Sequence, residues 1–164
     1  MAAVLILTTV AVAACSSTPP PQPSPTPTTT PPPAQMGSTI TTKNGGQLTI
    51  SEPSVIKPTD AASGVQPGGV NWSATLKFVN GGPGNTNGNF EPGMLELSAS
   101  AGGSECVQIF QGTKYTTPDT PVLPGRSISF PFAFSCTAPA GSELLVSATS
   151  VANSNQYLFA GTLP

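Results

Sequence analysis

Histidine is absent from the 164 residues of this chain. That removes the commonest general base and the commonest ligand of zinc and copper. Ser-His-Asp and Cys-His catalysis are excluded, and so is a blue-copper centre of the usual ligand set. Charge is scarce as well. Asp, Glu, Lys and Arg make up 7% of the residues and the net charge is −2, whereas about a quarter of an ordinary soluble protein is charged. No basic field exists to hold nucleic acid. Helical periodicity is missing throughout, and no apolar run is long enough to span a bilayer as a mature helix. No cofactor and no metal site is expected.

What the chain has in quantity is proline (20) and glycine (17), with Ser, Thr and Asn supplying most of the polar surface. This composition suits an extracytoplasmic β-protein better than a cytosolic enzyme. Residues Ala2 to Ala14 form an apolar run that ends in small residues. Its thirteen positions match the hydrophobic region of an export signal. Val12-Ala13-Ala14-Cys15 resembles a lipobox, the tripeptide and cysteine at which bacterial lipoprotein precursors are processed. Such processing places a thioether-linked diacylglycerol on Cys15, and acylation (palmitate) of the freed amine can follow. Two or three acyl chains anchor stably where one binds only marginally. A signal peptide also needs a basic start, which Met1-Ala2-Ala3 lacks, so a basic segment upstream of Met1 is expected.

Residues Ser16 to Gln35 are almost wholly Ser, Thr, Pro and Gln. They cannot bury apolar surface, and the expected linker over 15–36 stays disordered with a polyproline II bias. At roughly 3.1 Å per residue it spans about 60 Å, a stalk whose threonines could carry sugars. From Gly37 to Pro164 the pattern changes to short β-type runs between Gly, Pro and Asn clusters. Expected strands are Gln47–Ile56 with a break at Pro53, Val70–Val79, Met94–Ser100, Glu105–Gln111, Arg126–Cys136, Glu143–Thr149 and Gln156–Thr162. In Val70–Val79 the side chains Val70, Trp72, Ala74, Leu76 and Phe78 share one face, the alternation of a half-buried strand. In Arg126–Cys136 the residues Ile128, Phe130, Phe132 and Phe134 do the same. Pro131 points the other way, which predicts an edge or a bulge there. Seven short strands predict an all-β, antiparallel two-sheet sandwich.

With Cys15 spent on lipid, Cys106 and Cys136 remain, and in an oxidising compartment they are expected to form a disulfide. This is not the bridge of an antibody domain, where the tryptophan lies between the cysteines. Here Trp72 precedes both.

Three segments carry a family resemblance. Phe78-Val79-Asn80-Gly81, running through Gly84 to Phe90-Glu91-Pro92, is the first. Gly103-Ser104-Glu105-Cys106-Val107-Gln108-Ile109-Phe110 is the second, and Leu123-Pro124-Gly125-Arg126-Ser127-Ile128-Ser129-Phe130 the third. Together they resemble actinobacterial immunoglobulin-like lipoproteins of unknown function, related to a small secreted mycobacterial antigen. The resemblance implies an immunoglobulin-like sandwich at the cell surface of a mycobacterium or a relative, and it brings no catalytic residues. Independently of it, Gly125 after Pro124 predicts a type II turn, since glycine accepts the positive φ required there. Arg126 reads as a solvated edge residue, or as one that pairs with an acid or a carbonyl.

The expected protein is therefore a membrane-anchored envelope lipoprotein on the extracytoplasmic face. Its domain acts as a non-catalytic binding or structural module toward an envelope protein or glycan. Loops 61–69, 81–89 and 112–121 would be the recognition surfaces. A wall-carbohydrate module is the second reading, with Tyr115 the best stacking platform and Trp72 and Tyr157 behind it. A hydrolase is the third. It would need two of Glu52, Asp60, Glu91, Glu96, Glu105, Asp119 and Glu143 to face one another across a cleft.

Overall fold

The computed structural model describes residues 31–81, 89–152 and 154–164. The expected signal segment, Cys15, the linker up to residue 30 and most of the 81–89 loop lie outside the described residues. Eleven strand segments build the domain: β1 (Ala34–Gln35), β2 (Thr39–Thr41), β3 (Gln47–Ile50), β4 (Ser54–Val55), β5 (Val70–Val79), β6 (Leu95–Ala101), β7 (Ser104–Glu105), β8 (Val107–Gln108), β9 (Ser127–Cys136), β10 (Glu143–Ser150) and β11 (Gln156–Thr162). They form two sheets. One has the order β1-β11-β10-β6-β7, and the other β2-β3-β5-β9-β8 with β4 also paired to β5. All pairings are antiparallel except that of β1 with β11. The fold is the expected all-β two-sheet sandwich.

Period-two alternation decides which side chains meet. From β5 the residues Trp72, Ala74, Leu76 and Phe78 are buried, and Phe130, Phe132, Phe134 and Cys136 of β9 join them. Leu144, Val146 and Ala148 of β10, Phe159 of β11 and Ala99 of β6 close the core from the opposite sheet. Trp72 stacks on Phe134 at a centroid separation of 5.6 Å and meets Phe132 edge-on at 6.0 Å. Both are geometries that the ring quadrupole favours.

Two expectations about local geometry hold. Leu123–Arg126 is the type II turn, with Gly125 at φ 77° and the Arg126 N–H donating to the Leu123 carbonyl at 3.0 Å. Pro131 pairs with Thr75, whose own N–H and C=O are taken by Ser51. The pair is thus a non-hydrogen-bonded one, and the missing N–H of Pro131 faces the opposite side, where β8 reaches only Phe134 and Ser135. Proline stands at the stretch of strand that needs no donor.

Three boundaries differ from expectation. The sandwich begins before Gly37: Ala34 and Gln35 run parallel to Phe159 and Ala160, and Met36 is buried against Gly161. The last three residues assigned to a disordered linker therefore belong to the fold. β2 was likewise unexpected, since three residues are too few to show a period. Glu105–Gln111 is not one strand, because the chain changes sheets at Cys106. β7 pairs with β6, while β8 pairs with β9.

The change of sheet is where the disulfide sits. Cys106 is bonded to Cys136 across a Cα separation of 4.4 Å, and the Trp72 Nε1–H donates to the Cys136 sulfur at 3.1 Å. The bridge closes a loop of about 31 residues, worth roughly 3–4 kcal/mol in the loop-entropy model. Replacing both cysteines by serine should lower the urea-unfolding free energy by about that amount. An unchanged unfolding midpoint would show that the bridge is dispensable.

Candidate functional site

At the end of β5 the chain reaches Asn80, a polar residue only 4% exposed. Burial on that scale costs free energy unless the polar groups are paired. Its N–H donates to the Arg126 carbonyl at 2.9 Å, its carbonyl accepts from the Gly125 N–H at 2.7 Å, and its Nδ2 donates to the Val122 carbonyl at 2.7 Å. Val122 in turn forms an antiparallel bridge with Phe90. Asn80 therefore fixes the 122–126 turn and, through it, the position of Phe90. The Phe90 ring packs on Phe78 with centroids 3.8 Å apart. A Cβ at Gly46 would lie 3.1 Å from the Phe78 ring, so a larger residue there would push the ring or the β2–β3 turn by a few tenths of an ångström.

These contacts leave a cleft of about 210 Å³ between the two sheets at this end. Leu48, Phe78 and Leu95 form its apolar base, with Phe90, Met94 and Tyr157 as walls. Thr42, Asn44, Asn89 and Ser150 supply a neutral polar rim, and Glu91 is the acid among the lining residues. Tyr157 is half-buried. Desolvation pushes its phenol above the ordinary value of 10.0, partly opposed by a hydrogen bond from the Asn155 side chain.

The aromatic residues singled out in the sequence separate into three environments. Trp72 is core. Tyr115, expected as the exposed platform, is 3% exposed and packs with Ile109 and Ala133, flanked by Ile56 and Ala62. This small second cluster lies on the outer face of the β5–β9 sheet, and Lys114 Nζ sits 5.0 Å above the Tyr115 ring. A usable signal was Ala133, an apolar residue on the face of β9 opposite Phe130, Phe132 and Phe134. Something had to cover it. Tyr157 alone of the three reaches the cleft.

The three loops do not converge on one end. Residues 61–69 and 110–116 meet over the outer face, joined by the Ser63–Phe110 bridge, close to where the Thr59 N–H donates to Gln111 Oε1 at 3.3 Å. Of the 81–89 loop, Gly81 and Asn89 are described, and Asn89 lines the cleft.

The carboxylates are dispersed. Asp60, Glu96, Glu105 and Asp119 are exposed at separate places. Glu52 and Glu143 share a shallow polar depression of about 360 Å³ with Gln35, Pro53 and Thr162. Both are exposed, and its described lining offers no aromatic ring for a sugar to stack on. Among the described residues, no three of Cys, Asp and Glu are grouped as a metal site. Arg126 is exposed, and it is its carbonyl that enters the Asn80 network.

No protein-family model matches the chain, and no curated protein matches it. Two solved structures do resemble it. MPT63, a secreted protein of Mycobacterium tuberculosis, superposes with a TM-score of 0.54 at 18% identity over 81% of this chain and 98% of its own. YcdA of Bacillus subtilis, a candidate lipoprotein, gives a TM-score of 0.56 at 10% identity over 72% of this chain. What is shared is the fold. The chain spans 36% of YcdA. The kinship expected from the three motifs is supported at the level of a β-sandwich common to a secreted mycobacterial protein.

Two measurements check the site. Asn80→Leu removes the side-chain donor to the Val122 carbonyl, which keeps the Phe90 N–H, and should cost about 0.5–1.5 kcal/mol in denaturant unfolding. A surface-like change of a few tenths would mean that Asn80 does not hold the turn. The second concerns Tyr157. Its folded-state pKa is raised, so the stability linked to its neutral phenol is complete below pH 10.0 and is lost as pH rises through the raised value. The difference in tyrosinate absorbance between wild type and Tyr157→Phe should show a transition above 10.0. A transition at or below that value would place the phenol in open water.

Proposed function

We propose that this chain is an exported lipoprotein, tethered through Cys15 to the extracytoplasmic face of a membrane, whose sandwich is a non-catalytic binding module seated on the end cleft. The observation that carries the reading is the chemistry of that cleft: an apolar base, a neutral amide and hydroxyl rim, and a single acid. Sites of this kind bind by shape and burial, with a few polar groups setting orientation. Catalysis has little to work with. The chain has no histidine, Glu91 is the one acid among the described residues lining the cleft, and Glu52 and Glu143 share only an exposed polar depression. Export is supported by the lipobox-like segment, by the disulfide, and by the likeness in fold to a secreted protein and a candidate lipoprotein.

A neutral sugar is the second reading of the same cleft, because Tyr157 offers a half-exposed ring beside the amides of Asn44 and Asn89. It replaces the expectation placed on Tyr115.

Fractionation of cells producing the wild type or Cys15→Ser tests the tether. The wild type should partition with membranes and, after protease digestion, yield a peptide beginning at Cys15 with the mass of a diacylglyceryl thioether. Cys15→Ser should move to the soluble fraction. Equal membrane association of the two would overturn the tether.

A further inference from the structure

The direction of β1 adds a fact about the cleft. β1 runs parallel to β11, with Ala34 beside Phe159 and Gln35 beside Ala160. Residues 31–33, exposed, therefore approach along the start of β11, where Tyr157 lines the cleft. Residues 31–33 thus lie at the end of the sandwich where the cleft opens.

Large apolar side chains are exposed at this end. Met94 is 48% exposed and lines the cleft, and Val151, 63% exposed, donates its N–H to the Met94 carbonyl. Leu123, 55% exposed, follows the Val122 that carries Phe90. Large apolar side chains held in water beside an apolar opening mark a contact with something apolar. The rim is amide and hydroxyl, Lys43 lies in the turn between the rim residues Thr42 and Asn44, and Glu91 is in the wall. Such a rim does not select an anionic head group. The volume of about 210 Å³ exceeds the roughly 150 Å³ of an apolar cavity that holds benzene, so one ring or a short run of methylenes fits.

We propose that the cleft seats one acyl chain of a membrane lipid, with Met94, Val151 and Leu123 lying against the bilayer around it. This rests on the tethered binding-module reading, in which a membrane lies within the domain's reach. The partly buried carboxylate of Glu91 sets the preference: a neutral or ester-linked chain enters, and a free fatty-acid carboxylate is disfavoured by like charge.

The test uses the full chain carrying Cys15→Ser, so that no acyl group of its own competes. Octyl glucoside below its micelle concentration, methyl glucoside and octanoate are titrated while NMR follows the Met94 methyl and the rings of Phe78, Phe90 and Tyr157. Octyl glucoside should reach half-saturation at a concentration at least tenfold lower than methyl glucoside, with octanoate weaker than octyl glucoside. Ala152→Trp, at an exposed position on the rim, should block the opening and weaken octyl glucoside at least tenfold while the core resonances of Trp72 stay in place. Phosphatidylcholine vesicles with a nitroxide near the end of the acyl chain should broaden the Met94 and Tyr157 signals more than head-group-labelled vesicles do. Equal response to octyl and methyl glucoside would overturn the acyl seat in favour of a sugar and leave the binding module standing. Absence of shifts from both, in a protein whose Trp72 signals are native, would overturn the acyl seat outright. Neither result touches the tether, which the Cys15 fractionation decides separately.

Discussion

The sandwich depends on one inward turn of the chain. At Cys106 the backbone leaves the sheet that contains β6 and joins the one that contains β9, and it can do so because the cysteine side chain is bonded to Cys136 at the end of β9. That end is not free to drift. Cys136 receives the Trp72 N–H, and Trp72 lies stacked on Phe134 at the bottom of the core. Sheet crossing, covalent bridge and aromatic packing thus share one place. A polar donor that would otherwise be stranded in the interior finds a partner there. With few charges available, the fold relies on burial and on this bridge rather than on ion pairs.

The opposite end is organised by hydrogen bonds instead. Asn80 joins three segments, β5, the 122–126 turn and, through Val122, Phe90. Two of the motifs that suggested a family, the one around Asn80-Gly81 and Phe90 and the one around Pro124-Gly125, are therefore halves of a single structural node. Their shared purpose is to hold Phe90 against Phe78 and keep the cleft open between the sheets.

Long strands were legible because their side chains alternate over many residues. β5 and β9 stand where the sequence placed them, and Pro131 marked a stretch of β9 that β8 leaves uncovered. β1 and β2 were not legible. Two or three residues have no measurable period, and their pairing is long-range, with partners such as Phe159 about 125 residues away. The split at Cys106 was hidden because the segment is apolar enough throughout to read as one strand. The candidate site was seen only in part. Tyr157 was named, but Tyr115 was preferred because its loop is polar. A polar loop folded down over Ala133 looks, in sequence, no different from one that stands in water. The cleft itself joins residues from Thr42 to Tyr157, and no local pattern predicts which turns will meet.

The parallel pairing of β1 has a mechanical consequence. A pull on the N-terminal segment acts along the axis of β1 and loads its bonds to β11 in shear. It does not peel them open one at a time. Behind the two paired residues stands Met36, lodged in the core against Gly161. Force applied through residues 31–33 would meet that side chain as a stop, and the domain would yield only when its interior did.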